Sequence, residues 1–239
     1  MTCAQQHPVD PKERPILFSA PMVRAILAGQ KTVTRRPVRS QPDVPVTDAI
    51  PQRNFPHGPA TIDWYWRPKH GHLNGAPSAG WDFKCPYGQP GDRLWVRETW
   101  FCDHFEVMRG PYLKPDDLDI GEAREDGTLV YAADGLTPYE AEQPTWKPSI
   151  HMPRWASRIL LEITDVCVEQ LQDISEEHAI AEGVDVSICQ QFLETSPTRH
   201  QCKLAALHGF SGLWESINGA GAWDSNPWVW VVKFKQVTP

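Results

Sequence analysis

Leu27-Ala28-Gly29-Gln30-Lys31-Thr32-Val33-Thr34-Arg35-Arg36-Pro37 is the stretch from which the rest of this chain is read. Upstream of it, Met22, Val23, Ile26 and Leu27 recur at helical spacing behind Ser19, an N-cap residue, and Pro21, a first-turn proline. Gly29 stands where a helix-ending C′ glycine belongs, so a helix of about two and a half turns stops just before Lys31. Thr32 to Arg36 has the β-branched content of a strand, which Pro37 closes. The turn and strand together deliver an amine, two hydroxyls and two fixed cations within one short run. A packed core needs none of these groups. A site that handles an anion or an acyl group uses them all.

Working outward, residues 1–14 are polar and proline-bearing and predict a flexible tail, followed by a strand over Arg14–Phe18. The segment 38–90 is rich in Pro, Gly, His and Asn; it predicts an insertion carrying short strands at 62–67 and 81–84. Arg93 to Phe101 predicts one strand after the Pro90-Gly91-Asp92 turn, with Leu94, Val96 and Glu98 on one face. A second insertion, about 103–150, is acidic and irregular over 103–127, with a short strand at 129–132. Residues 157–171 predict a long bent strand or a hairpin arm. Ser175 caps a helix that Gly183 closes, leaving Glu182 as its last residue. A further helix spans roughly 202–217, its apolar set including Leu213 and Trp214, and a last strand covers Trp228–Val237. Short strands outnumber helices without regular βαβ alternation. That pattern predicts an α+β fold: one domain over 15–239, a mostly antiparallel barrel with rim helices and long loop insertions.

The chain has 239 residues, enough to bury a real core. Its net charge of -7 argues against a coat protein for nucleic acid, while the local arginine clusters leave room for a basic pocket. The six cysteines show no paired spacing and no signal peptide opens the sequence, which predicts reduced thiols in a cytoplasmic protein. No apolar run approaches the roughly 20 residues of a membrane helix. His70, His72, Cys85, Cys102 and His104 lack zinc-ligand spacing, and no phosphate loop or dinucleotide fingerprint occurs, so neither metal nor cofactor is expected. The 11 tryptophans are mostly core material, with a minority available to stack on a flat ring.

Gly29-Gln-Lys-Thr-Val-Thr-Arg-Arg36, Pro90-Gly-Asp-Arg-Leu-Trp-Val96, Ile174-Ser-Glu-Glu-His-Ala-Ile-Ala-Glu-Gly183 and the closing Trp228–Phe234 strand together resemble the ASCH family of PUA-like β-barrels. The remainder resembles the longer phage and prophage members of that family. Its small bacterial members hydrolyse N4-acetylcytidine with a lysine, a threonine three residues later and a helix-end glutamate. The resemblance puts these roles on Lys31, Thr34 and Glu182. The chain departs from the small enzymes in carrying Arg35 where they have an apolar residue, and in its insertions.

Amide hydrolysis needs a nucleophile, a base and an acid for the leaving nitrogen. Thr34 is the candidate nucleophile. Neutral Lys31 would accept its proton, at a cost of about 4 kcal/mol for holding a lysine uncharged at neutral pH. Alternatively, protonated Lys31 stabilises the oxyanion while Glu182 shuttles protons. In a regular strand Lys31 and Thr34 face opposite ways, so they converge only if Lys31 still lies on the turn. Arg35, Arg36, Arg97, Glu98, Trp100, His151 and Arg154 are candidate substrate-binding residues, Arg97 and Glu98 being equally readable as an ion pair within the barrel. The expected partner is a modified cytidine nucleoside or nucleotide. The rival is a non-catalytic module that binds single-stranded RNA or a modified base. A ribonuclease is the third reading.

Overall fold

The computed structural model of the protein describes residues 11–43, 45–53, 62–69, 82–109, 112–135, 146–184 and 199–238. In chain order its regular elements are β1 (Glu13–Leu17), α1 (Ala20–Leu27), β2 (Val33–Pro37), β3 (Val46–Arg53), β4 (Ile62–Pro68), β5 (Asp82–Lys84), β6 (Arg93–Arg97) and β7 (Trp100–Cys102). There follow α2 (Phe105–Arg109), α3 (Ile120–Glu125), β8 (Leu129–Tyr131), β9 (Leu160–Gln170), α4 (Glu176–Ala181), α5 (Arg199–Asn218) and β10 (Trp228–Val237). The fold is α+β and dominated by sheets. No helix among the described residues is long and apolar enough to cross a membrane.

The central sheet has the order β1-β6-β9-β10-β2. β1 runs parallel to β6 and the other pairings are antiparallel. β10 is buried on both faces, which explains its near-continuous apolar run. Trp230, Val232 and Phe234 enter one core with Val23 and Ile26 of α1; Val229 and Val231 enter a second with Phe210 and Trp214 of α5. The sheet is thus sandwiched, α1 on one side and α4 with α5 on the other. Burying side chains of this size removes roughly 1.5–3 kcal/mol of solvent exposure each.

The first insertion forms a second sheet, β3-β4-β5, that joins the first core directly. Trp64 meets Trp230 edge-on at 5.4 Å, and Trp66 stacks on Phe83 at 4.5 Å. The second insertion supplies β8, which pairs with β7, and with the flanking residues Trp100 and Met152 its Leu129 builds a third core.

Several expectations change. The polar tail ends earlier, because β1 starts at Glu13 and Arg14 is anchored to Asp92 at 2.7 Å; residues 1–10 lie outside the described residues. The strand expected over 93–101 is two strands. Glu98 and Thr99 carry the chain out of the central sheet, and Trp100 then pairs with Tyr131 of β8. The irregular stretch 103–127 contains α2 and α3, the latter capped by Asp119, whose carboxylate accepts from the Glu122 N–H. β3 was not expected, since Pro51 interrupts its sequence. It occupies a sheet edge, where a missing N–H costs no ladder bond.

Candidate active site

Local chain geometry brings Lys31 inward. The Gly29 backbone turns through φ +71, and the N–H groups of Gln30 and Lys31 both return to the Ala25 carbonyl at 2.8 and 3.0 Å. Lys31 is therefore still on the turn, as convergence with Thr34 requires. The strand begins after it: the Thr32 N–H donates to Ala181 O at the end of α4, and Thr32 O accepts from the Phe234 N–H.

α4 brings the carboxylate. The Ser175 hydroxyl accepts from the His178 N–H, and Glu176 and Glu177 sit at the positive end of the helix dipole. Glu182 occupies the C-cap, the unfavourable end for an anion, and Gly183 follows at φ +85. A Cβ on Gly183 would stand 2.9 Å from the Ala25 Cβ and 3.4 Å from the Lys31 Cβ, so only glycine lets the ends of α1 and α4 meet.

What compensates Glu182 is Lys31. Its Nζ donates to Glu182 Oε2 at 2.6 Å, to Glu182 O at 2.8 Å and to Val33 O at 2.9 Å. Three acceptors match the three N–H bonds of an ammonium, one of them also capping the last carbonyls of α4. Burial pushes the Lys31 amine below its ordinary value. The Glu182 carboxylate pulls it back up, and Arg36 and Arg35 push it down further. Arg35 holds the other carboxylate oxygen, Oε1, at 3.3 Å; it also donates through Nε to Glu169 at 3.0 Å and lies 3.1 Å from His178 Nδ1. Lys31, Thr34, Arg35 and Glu182 are all at most 4% exposed.

A cleft opens beside this network between α1 and α5. Thr34, Arg35, Arg36 and Glu182 form its polar wall, and Met22, Phe210 and Trp214 belong to its apolar one. Lys31 is not on the wall but one step behind, bonded to Glu182. The cleft is narrow, about 40 Å³, which at about 10–15 Å³ per water admits a few ordered waters. Both faces of β2 reach it because β2 is an outer strand. The Thr34 hydroxyl makes no hydrogen bond to another described residue.

Five of the ten residues singled out in the sequence therefore converge: Lys31, Thr34, Arg35, Arg36 and Glu182. The other five stand elsewhere. Arg97 lies over the Trp95 ring and donates to Met152 O at 2.9 Å. Glu98 is buried in a fork with Arg158, at 3.0 and 3.1 Å, and Arg158 also binds Asp134 across the Tyr131 ring, which makes Glu98 part of a structural ion cluster. Burial pushes the Glu98 carboxyl up while Arg158 pulls it down. Trp100 is 0% exposed and packs on Tyr112 and Trp155, so no ring can stack on it. His151 is exposed beside Tyr112, and Arg154 pairs with Glu13 at 2.7 Å. None of these five lines the cleft.

Three participants were not expected. His178 precedes Glu182 by four residues on α4, a spacing that signals a shared helix face. Glu169 and Trp214 gave no such signal: one reads as a strand-end carboxylate, the other as helix core. Among the described residues no group of His, Cys, Asp and Glu is arranged for a metal ion. Comparison with protein-family models, with curated proteins and with solved structures finds no match to this chain.

Proposed function

We propose that the protein is a hydrolase of the ASCH type, with a PUA-like barrel, that removes an acyl group from the exocyclic amine of a modified cytosine nucleoside or nucleotide. One observation carries the proposal. Lys31 and Glu182, 151 residues apart in sequence, meet in buried contact at 2.6 Å, and Glu182 shares a cleft wall with Thr34. A buried titratable group whose proton affinity is perturbed, placed at a cleft, marks a candidate working site.

In this mechanism the Thr34 hydroxyl attacks the acyl carbonyl and passes its proton to Glu182, which lies on the cleft wall. Arg35 faces the developing oxyanion. Collapse expels the cytosine amine, which takes the proton back from Glu182, and water then hydrolyses the threonine ester with the same carboxylate as base. Lys31 acts through Glu182, holding the carboxylate in position through its 2.6 Å contact. A pyrimidine ring is larger than the present cleft, so its binding requires the cleft to widen.

Incubation with N4-acetylcytidine, followed for release of cytidine, tests the proposal. Thr34→Ala is expected to lower kcat by about 10²–10⁴-fold, with Glu182→Gln similarly impaired and both variants folded. A wild-type protein that releases no cytidine would sink it. The saturated Lys31 ammonium and the narrow cleft favour the second reading, a module that binds a modified base or single-stranded RNA without chemistry. Its signature is RNA affinity with a steep salt dependence and no turnover.

A further inference from the structure

Three cations, Arg35 and Arg36 on the cleft wall and Lys31 behind it, stand against two carboxylates. Lys31 and Arg35 divide Glu182 between them, and Arg35 also holds Glu169. Arg36 has no carboxylate partner among the described residues. One of its nitrogens, Nη2, donates to Leu17 O at 2.6 Å, and its guanidinium lies 5.3 Å over the Phe18 ring. Its Nε–H is buried without an acceptor. On the opposite wall Trp214, only 4% exposed, has its indole Nε1–H buried without an acceptor as well. Both side chains line the cleft beside Thr34.

A buried N–H left unpaired bears its whole desolvation cost. Two of them on residues that line one cleft, next to a cation with no counter-charge, offer a donor set for an anionic oxygen. A planar guanidinium suits a group offering several such oxygens. We propose that the cleft holds a phosphate monoester of its ligand between Arg36 and Trp214, so that the ligand is a nucleoside monophosphate and not a free nucleoside. The nucleoside half of this statement rests on the function proposed above; the phosphate half rests on the charge count and the orphan donors alone.

Isothermal titration with cytidine 5′-monophosphate, cytidine and inorganic phosphate, at one low ionic strength, tests it. The wild-type protein is expected to bind the monophosphate at least about tenfold more tightly than cytidine, the worth of one charge-assisted contact. Inorganic phosphate is expected to compete, and acetate at the same concentration is not. Arg36→Gln should abolish the preference and Arg36→Lys should retain part of it. Trp214→Phe keeps the ring and loses only the donor, and should reduce the preference several-fold without lowering the unfolding midpoint. Equal affinities for nucleotide and nucleoside, a preference that survives Arg36→Gln, or no binding of the nucleotide would each overturn the proposal. A phosphate preference without turnover of any N4-acylated substrate would sink the hydrolase alone. Turnover of N4-acetylcytidine with no phosphate preference would sink this inference alone.

Discussion

Lys31 ties the turn after α1 to the end of α4 by giving all three of its N–H bonds to Val33 and Glu182. Because burial lowers its affinity for the proton, the unfolded chain keeps that proton to higher pH than the folded one. Over the interval between the lowered folded value and the ordinary 10.5, the unfolded state binds more protons, so stability contributed by this residue rises with pH. The free energy of unfolding of the wild-type protein, measured in urea from pH 7 to 10.5, should therefore gain on that of Lys31→Met as pH increases. Tyrosines and cysteines titrate alike in both proteins and cancel. A difference that stays flat with pH contradicts the burial argument. At this scale the sequence was informative for charge and poor for direction. Lys31, Thr34 and Glu182 were singled out through the family resemblance, since residue type and spacing alone fit ordinary strand and helix-end residues equally well. The pattern of apolar residues set Trp214 in a helix core and left Trp100 a binding candidate, whereas the fold brings Trp214 to the cleft and seals Trp100 in a separate core.

The two glycines inside α5 look alike in sequence and differ in the fold. A Cβ at Gly209 would stand 2.6 Å from Val184 Cγ1, whereas one at Gly212 meets nothing within 4 Å. Gly209 thus lets the chain leaving α4 press against α5, and Gly212 costs helix stability for no packing return. Gly212→Ala should stabilise the protein by about 0.5–1 kcal/mol. Gly209→Ala should destabilise it, since stiff, branched Val184 has no far end to swing aside. Thermal unfolding of the two variants gives opposite shifts if this is right; two upward shifts would show that α5 is free to move away. The helices with caps were readable, α1 from Gly29 and α4 from Ser175 and Gly183. β3 was hidden because Pro51 is compatible with a strand only at an edge, and edge position is a property of the assembled sheet. The break after Arg97 was hidden for a related reason: Glu98 continues the alternation, yet its carboxylate is held by Arg158, 60 residues away.

Three cores meet in this molecule, and the first includes side chains from both the central sheet and β4. If β3-β4-β5 were a loosely attached appendage, the Trp64 ring could be removed with local effect. Its edge-on contact with Trp230 predicts otherwise: Trp64→Ala should cost about 3–5 kcal/mol and leave a single cooperative transition seen equally by far-ultraviolet and tryptophan signals. Two resolved transitions would mean that the insertion unfolds by itself. The order of the central sheet also has a temporal side. β2, with Thr34 and Arg35, is paired in it through β10 alone, and Pro37 must wait for Val229, about 190 residues later. During synthesis the strand bearing Thr34 has no partner strand in the sheet until the ribosome has made nearly everything between them. The polar wall of the cleft is thus among the last parts of the nascent chain able to take shape, and a message cut short before β10 would yield a product with cores begun and no cleft.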